Sequence, residues 1–158
     1  VAMLNLYQHV SWDNIKQDIL TAAGEGYRTV YLDPITCFTN TVSSAEANEL
    51  LVRIASEAAA MAHDHKLSMW LFCHLNAPGK DKKPHESGGK VLSSQFAGSR
   101  AMMRACHTMW GLQGDKSPDL TPEERNLRQL VLLEDRNYGQ TGKLDLYWDS
   151  QTGLFEEV

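Results

Sequence analysis

The chain has 158 residues, of which 42% are hydrophobic and 22% charged, proportions ordinary for a globular protein of about one domain. Its formal net charge of -5 argues against wholesale coating of nucleic acid by a basic surface, while leaving room for one local basic loop inside a larger assembly. The apolar runs fall far short of the roughly 20 residues that span a membrane, and the isolated cysteines Cys37, Cys73 and Cys106 show neither a disulfide framework nor a zinc spacing, which fits a reducing cytoplasm.

No secretory leader pattern is visible, and the start at Val1 rather than Met fits a segment of a longer protein. In chain order, Leu4–Tyr7 reads as the end of a strand. Ser11 is an N-cap with Asp13 in the first turn, and Trp12, Ile15, Ile19, Leu20 and Ala23 recur at helical spacing until Gly24 and Gly26. Thr29–Asp33 is a β-branched apolar run that predicts a central parallel strand buried on both faces, followed by a loop over Pro34–Thr41. Ser43 and Glu46 form a capping box ahead of the helical stripe Leu50, Leu51, Ile54, Ala58 and Met61, which runs to about His63. Leu67–Cys73 predicts the next buried strand.

Asn76–Val91 is rich in Gly, Pro and Lys and reads as a mobile surface loop. A shorter helix is predicted over Gln95–Ala105, a strand over Thr108–Leu112 and a polar loop over Asp115–Asn126. Three further strands are predicted at Leu127–Glu134, Lys143–Trp148 and Leu154–Val158, the first two joined by a turn at Asn137–Gly142. Alternating strands and helices followed by a meander predict an α/β fold with right-handed crossovers and a mostly parallel sheet. Ligands of such sheets sit beyond the carboxyl ends of the strands, where Asp33 and His74 fall.

Several side chains could carry chemistry. Asp33 at a strand tip suits a magnesium-organising carboxylate, although an aspartate that merely opens a turn before Pro34 has the same address. His74 suits a sensor of a terminal phosphate; a lone histidine is more often satisfied by loop backbone, and Cys73 reads as a small buried hydrophobe. His63 and His65 sit near a helix end, where they suit the dipole, and a zinc site formed by them with His74 is poorly supported because no ligand spacing repeats. The loop from Gly79 carries Lys80, Lys82, Lys83 and Lys90, a pattern that suits a finger tracking a nucleic-acid backbone or an ordinary solvated loop. It has no interleaved aromatics, which argues against base stacking. Arg136 precedes a tight turn, where it could neutralise charge in a transition state or pair with Glu134 or Asp135. Arg100 and Arg104 lie four apart on one helix face.

Taken together, Thr29–Asp33, Leu71–Asn76, Ser94–Met103 and Glu134–Gly142 resemble, in order and spacing, the RecA-like motor domain of hexameric replicative helicases. The likeness is to the phage primase-helicase and mitochondrial replicative helicase branch of the DnaB-like family, and it extends over nearly the whole chain. It implies a RecA-like α/β fold, mostly parallel and ending in a β-meander, in which residues 1–158 form the C-terminal portion of a truncated P-loop NTPase domain. It implies that Asp33 organises Mg2+, that His74 senses the phosphate, and that Arg136 is the arginine finger of an adjacent subunit's site. Lys80, Lys82, Lys83 and Lys90 would grip single-stranded DNA in a central channel, with the loop after Asp33 as a second channel-lining element. Gly98 and Ser99 match the helix-opening motif beside the channel, Arg104 lies one turn further on, and Trp148 falls near the nucleotide base.

The implied protein hydrolyses ATP or another NTP to move 5′ to 3′ along DNA, as a homo-hexamer or heptamer in the cytoplasm of a phage-infected host, with a fused or associated primase and no membrane. The sequence departs from the family at Glu134, where a lysine is common, and at Ala97, where arginine is frequent. No G-x-x-x-x-G-K-[ST] run is present, so the fragment alone should not hydrolyse ATP. A non-motor RecA-like module for nucleic-acid binding or partner docking is the competing reading. A small metal hydrolase built on Asp33 and His74 is a third.

Overall fold

The computed structural model describes residues 11–158; the strand end expected at Leu4–Tyr7 lies outside them. The chain divides into two compact units, one formed by the residues up to His74 with Arg100–Ala105, the other by Leu75–Ser99 with Cys106–Val158.

The first unit is built on two capped amphipathic helices. Helix α1 (Trp12–Gly24) starts at Ser11, whose side chain accepts from the amide of Asn14 at 3.3 Å, one of the donors a helix start leaves unpaired. Its Trp12, Ile15, Ile19 and Ala23 are buried, and Gly26, at φ 102°, turns the chain out. Helix α2 (Ser44–Asp64) carries the reciprocal capping box of Ser43 and Glu46 and buries Leu51, Ile54, Ala55, Ala58 and Met61. Each large aliphatic side chain among them, fully buried, stabilises the fold by about 1.5–3 kcal/mol. Glu57 joins the helices: it accepts from Trp12 Nε1 at 2.8 Å, Lys16 Nζ at 2.9 Å and Arg53 Nε at 2.9 Å, and Arg53 also pairs with Asp13. Lys16 first, then Arg53, pull the Glu57 carboxyl down to about 2.

Strands β1 (Thr29–Leu32) and β2 (Ser68–Leu71) pair in parallel, with Thr29 opposite Ser68 and Leu32 opposite Leu71. The expectation that Thr29–Asp33 is buried on both faces is corrected. Leu32 is buried, but Tyr31 is 65% exposed, and it stacks on Trp70, 46% exposed, with ring centroids 6.2 Å apart. The reason is that β1 and β2 pair only with each other among the described residues, so one layer covers the Val30 and Leu32 face and none covers the other. The large rings of Tyr31 and Trp70 cover each other instead.

In the remaining elements the predicted helix over Gln95–Ala105 divides. A 3-10 turn occupies Ser93–Gln95, and Gly98, at φ 65°, separates it from α3 (Ser99–Ala105).

The second unit is a four-stranded antiparallel meander of β3 (Thr108–Gln113), β4 (Leu127–Asp135), β5 (Gly142–Asp149) and β6 (Leu154–Glu157), in that spatial order. The third strand after the helices was expected to extend the parallel sheet; it opens the meander instead, with Gln113 opposite Gln129 and a bulge between Met109 and Trp110. The polar stretch before β4 ends in a short helix, α4 (Pro122–Asn126), with its own capping box of Thr121 and Glu124. Aspartates set both hairpin turns. Asp135 accepts from the amides of Asn137 and Tyr138, and Asp149 from the Gln151 amide and the Thr152 hydroxyl.

Candidate nucleotide and nucleic-acid sites

At the carboxyl end of the parallel pair the backbone laces the two strands together. Phe72 donates its amide to the Leu32 carbonyl at 2.9 Å, and Ile35 donates to the Phe72 carbonyl at 2.8 Å. Asp33, exposed, sits in this crossing, joined to Pro34 by a cis peptide bond. The following 3-10 turn (Ile35–Thr39) is anchored by Ile35 and Phe38, both buried, which holds Thr36 in place. The Thr36 hydroxyl lies 2.8 Å from Nδ1 of His74. Asp33 and His74 therefore share one end of one sheet, and His74 is oriented by a residue that sequence reasoning had left unnamed within the Pro34–Thr41 loop. The only sequence signal for Thr36 was its place just after a strand-end carboxylate.

Among the described residues no three His, Cys, Asp or Glu side chains stand together as a metal cluster, so the zinc site of His63, His65 and His74 does not form there. His63 instead pairs with Asp64 at 2.9 Å. One exposed carboxylate is nevertheless what Mg2+ asks of a protein when phosphates and water supply its other ligands. Asp33 fits that demand.

The lysine loop belongs to the second unit, which seats it at its start, middle and end. At its start the Asn76 amide donates to the Gln95 carbonyl at 2.7 Å. In its middle Lys83 reaches the Asp115 carboxylate at 3.3 Å, and the Lys116 amide donates to the Glu86 carbonyl at 2.7 Å. At its end Val91, buried, donates to Gln113 Oε1 at 2.9 Å. Two glycines make the seat possible: a Cβ on Gly88 would stand 2.6 Å from Asp115 Oδ2, and one on Gly89 2.2 Å from the Lys83 carbonyl. Ser117 first, then Lys83, hold the Asp115 carboxyl below its ordinary value. Lys80, Lys82 and Lys90 stay exposed around this frame, and Lys83 is 61% exposed although tied.

Gly98 and Ser99 stand at the start of α3, and Arg104 is exposed in its last turn. Arg136 is exposed just beyond β4, its amide bonded to the His107 carbonyl at 2.9 Å. Trp148 lies toward the other end of the meander, against Phe155 with centroids 4.9 Å apart. Strand β4 has 9 residues, and Trp148 follows the partner of its first residue, Leu127, so at about 3.4 Å per residue it holds Arg136 and Trp148 ~30 Å apart. One chain does not bring these two residues into one pocket.

A parallel strand pair with helices, followed by an antiparallel meander, is the RecA-like α/β architecture. Solved structures of other proteins share it, among them the following two. One is of a DnaB-like replicative helicase and its interactions with primase, at TM-score 0.72 and 16% identity, covering 92% of this chain and 34% of that one. The other is an ATPase domain, at TM-score 0.73 and 16% identity, covering 94% of this chain and 51% of that one. The chain thus spans about a third to a half of these neighbours' lengths, and at such identity the likeness is one of fold. No family model and no curated protein matches the sequence. Among the described residues no helix is long and apolar enough to cross a membrane.

Proposed function

We propose that the chain is the C-terminal portion of the motor domain of a replicative DNA helicase that couples hydrolysis of ATP or another nucleoside triphosphate to movement along single-stranded DNA. The observation that carries this reading is the Thr36–His74 hydrogen bond at the strand end that also bears Asp33, within a fold shared with a DnaB-like helicase and an ATPase domain. In the tautomer in which the Thr36 hydroxyl donates to Nδ1, His74 presents Nε2–H as a donor, the chemistry needed to register a terminal phosphate. Asp33 is the carboxylate for Mg2+, which when bound spreads the charge of the phosphate oxygens. Arg136 serves a neighbouring copy's site, as its distance from Trp148 on one meander favours, and Trp148 serves the base side. Lys80, Lys82 and Lys90 follow the DNA backbone, Lys83 joins them when it leaves Asp115, and Gly98, Ser99 and Arg104 serve the same strand. The working form is a homo-hexameric or heptameric ring in the cytoplasm, with primase as a fused or associated partner.

The test is nucleotide turnover by the full-length protein. Arg136→Ala and Asp33→Asn are each expected to lower turnover by roughly 10³-fold or more. Mixing the two variants should restore part of it, because an Asp33 site in one subunit then meets an Arg136 from the other. Full turnover by Arg136→Ala, or no recovery in the mixture, would overturn the finger assignment. Salt-sensitive DNA binding without any turnover by the unaltered protein would favour the non-motor module.

A further inference from the structure

The downstream end of the lysine loop is tied to a line of side chains running across three strands of the meander. Val91 donates its amide to Gln113 Oε1 at 2.9 Å, Gln113 Nε2 donates to Gln129 Oε1 at 2.8 Å, and Gln129 Nε2 donates to Asp145 Oδ1 at 2.6 Å. The three side chains are register partners: Gln113 stands opposite Gln129, and Gln129 opposite Asp145. The line has a direction. A carboxylate can only accept, so Asp145 obliges Gln129 to present its NH2 there and its carbonyl toward Gln113. Gln113 must then present its own NH2 to Gln129, leaving its carbonyl for Val91. A reversed amide anywhere in the line would set donor against donor or acceptor against acceptor. Val91 has little lateral freedom to escape the arrangement, because a Cβ on Gly111 would already lie 2.7 Å from its Cγ1.

We propose that Gln113, Gln129 and Asp145 are positioning residues for the single-strand contact: Asp145, two strands away, fixes the stalk of the lysine loop at Val91 and so the direction in which Lys90 and the lysines before it are presented. This rests on reading the loop as a DNA contact, and it adds a means by which the meander governs that contact. None of the three residues needs to touch DNA.

The test uses isosteric changes in the full-length protein. Gln129→Glu sets a carboxylate against Asp145 and removes the donor between them, and the repulsion of the two like charges draws the acceptor at position 129 away from Gln113. Gln129→Glu with Asp145→Asn restores the direction of the line. The new amide at position 145 can donate to the new carboxylate at position 129, which still accepts from Gln113. Two quantities are read: hydrogen exchange of the Val91 amide, and binding of a labelled oligothymidylate. The single variant is expected to speed Val91 exchange roughly tenfold and to weaken binding by a similar factor, with both returning in the double variant. Unchanged Val91 exchange in Gln129→Glu would overturn the relay. Faster exchange with unchanged oligothymidylate binding would overturn its role in positioning, provided that joint replacement of Lys80, Lys82 and Lys83 by Ala abolishes binding. If that lysine variant binds normally, the DNA reading of the loop fails, and the exchange measurement still judges the relay by itself.

Discussion

The two units of this chain are held by different forces. The first hides a row of aliphatic and aromatic side chains between capped helices, with Ile35 and Ile54 at 0% exposure. The second buries few large side chains, among them Val91 and Met109, and relies on strand pairing, aspartate-set turns and side-chain hydrogen bonds such as those of Asp115 and Gln113. An apolar core is non-directional and tolerates approximate geometry, whereas hydrogen bonds are directional and weak singly. Stiffness by burial thus sits under Asp33 and His74, and precision by polar bonding sits under the lysines.

Four experiments break or sharpen that contrast. The largest effect is expected from Ile54→Ala, which should destabilise the protein by about 4 kcal/mol in urea denaturation by leaving a cavity beneath α2. A loss below about 1 kcal/mol would show that the first unit is not held by its core. Gly89→Ala comes next. Its new methyl meets the Lys83 carbonyl, so a loss of about 2 kcal/mol is expected together with weaker single-strand binding; retention of both would show that the loop is not seated as described.

Third is Glu57, whose carboxyl is held down to about 2 from an ordinary 4.5. A depressed carboxylate contributes its stability above the ordinary value, and that contribution drains away as pH falls from 4.5 toward 2. Glu57→Gln should remove about 1 kcal/mol at neutral pH and flatten the acid limb of a stability–pH curve. An unchanged acid limb would rule out the network of Lys16, Arg53 and Trp12 as its source. The smallest effect is that of Asp115→Asn. Releasing Lys83 to reach one more phosphate should steepen the dependence of log K on log salt by about 0.7, with little change in melting temperature. A slope that stays the same would mean Lys83 reaches DNA without leaving Asp115, or not at all.

Helix boundaries were legible in the sequence because caps are local. Ser11 and the Ser43–Glu46 box each announce a helix within four residues, and both are used as read. The same logic applied to Thr121 and Glu124 would have found α4, which the surrounding Gly, Pro and Asp residues masked. Strand-end placement of Asp33 was legible for a similar reason, since its apolar run ends with β1 at Leu32, whereas β2 ends at Leu71, short of the predicted Cys73 and three residues before His74. Burial of β1 was not, because an apolar run gives hydrophobicity without the number of layers around it, and Tyr31 tolerates water through its hydroxyl. The seat of the lysine loop depends on Asp115 and Gln113, which lie 32 and 22 residues from Lys83 and Val91 respectively. Those pairings follow from strand register, which composition and periodicity do not encode.

The open side of the parallel pair has an optical consequence. Trp70 stands half in water, its indole N–H bonded to Ser68 Oγ at 3.1 Å and its rings over Tyr31, whereas Trp12 is enclosed edge-on against Phe38. Acrylamide therefore meets at least two classes of indole in this protein, one quenched readily and one shielded. Any layer that closes over Tyr31 and Trp70 moves Trp70 from the first class to the second and shifts its emission to the blue. The protein thus carries a built-in fluorophore that reports the covering of this face without a label.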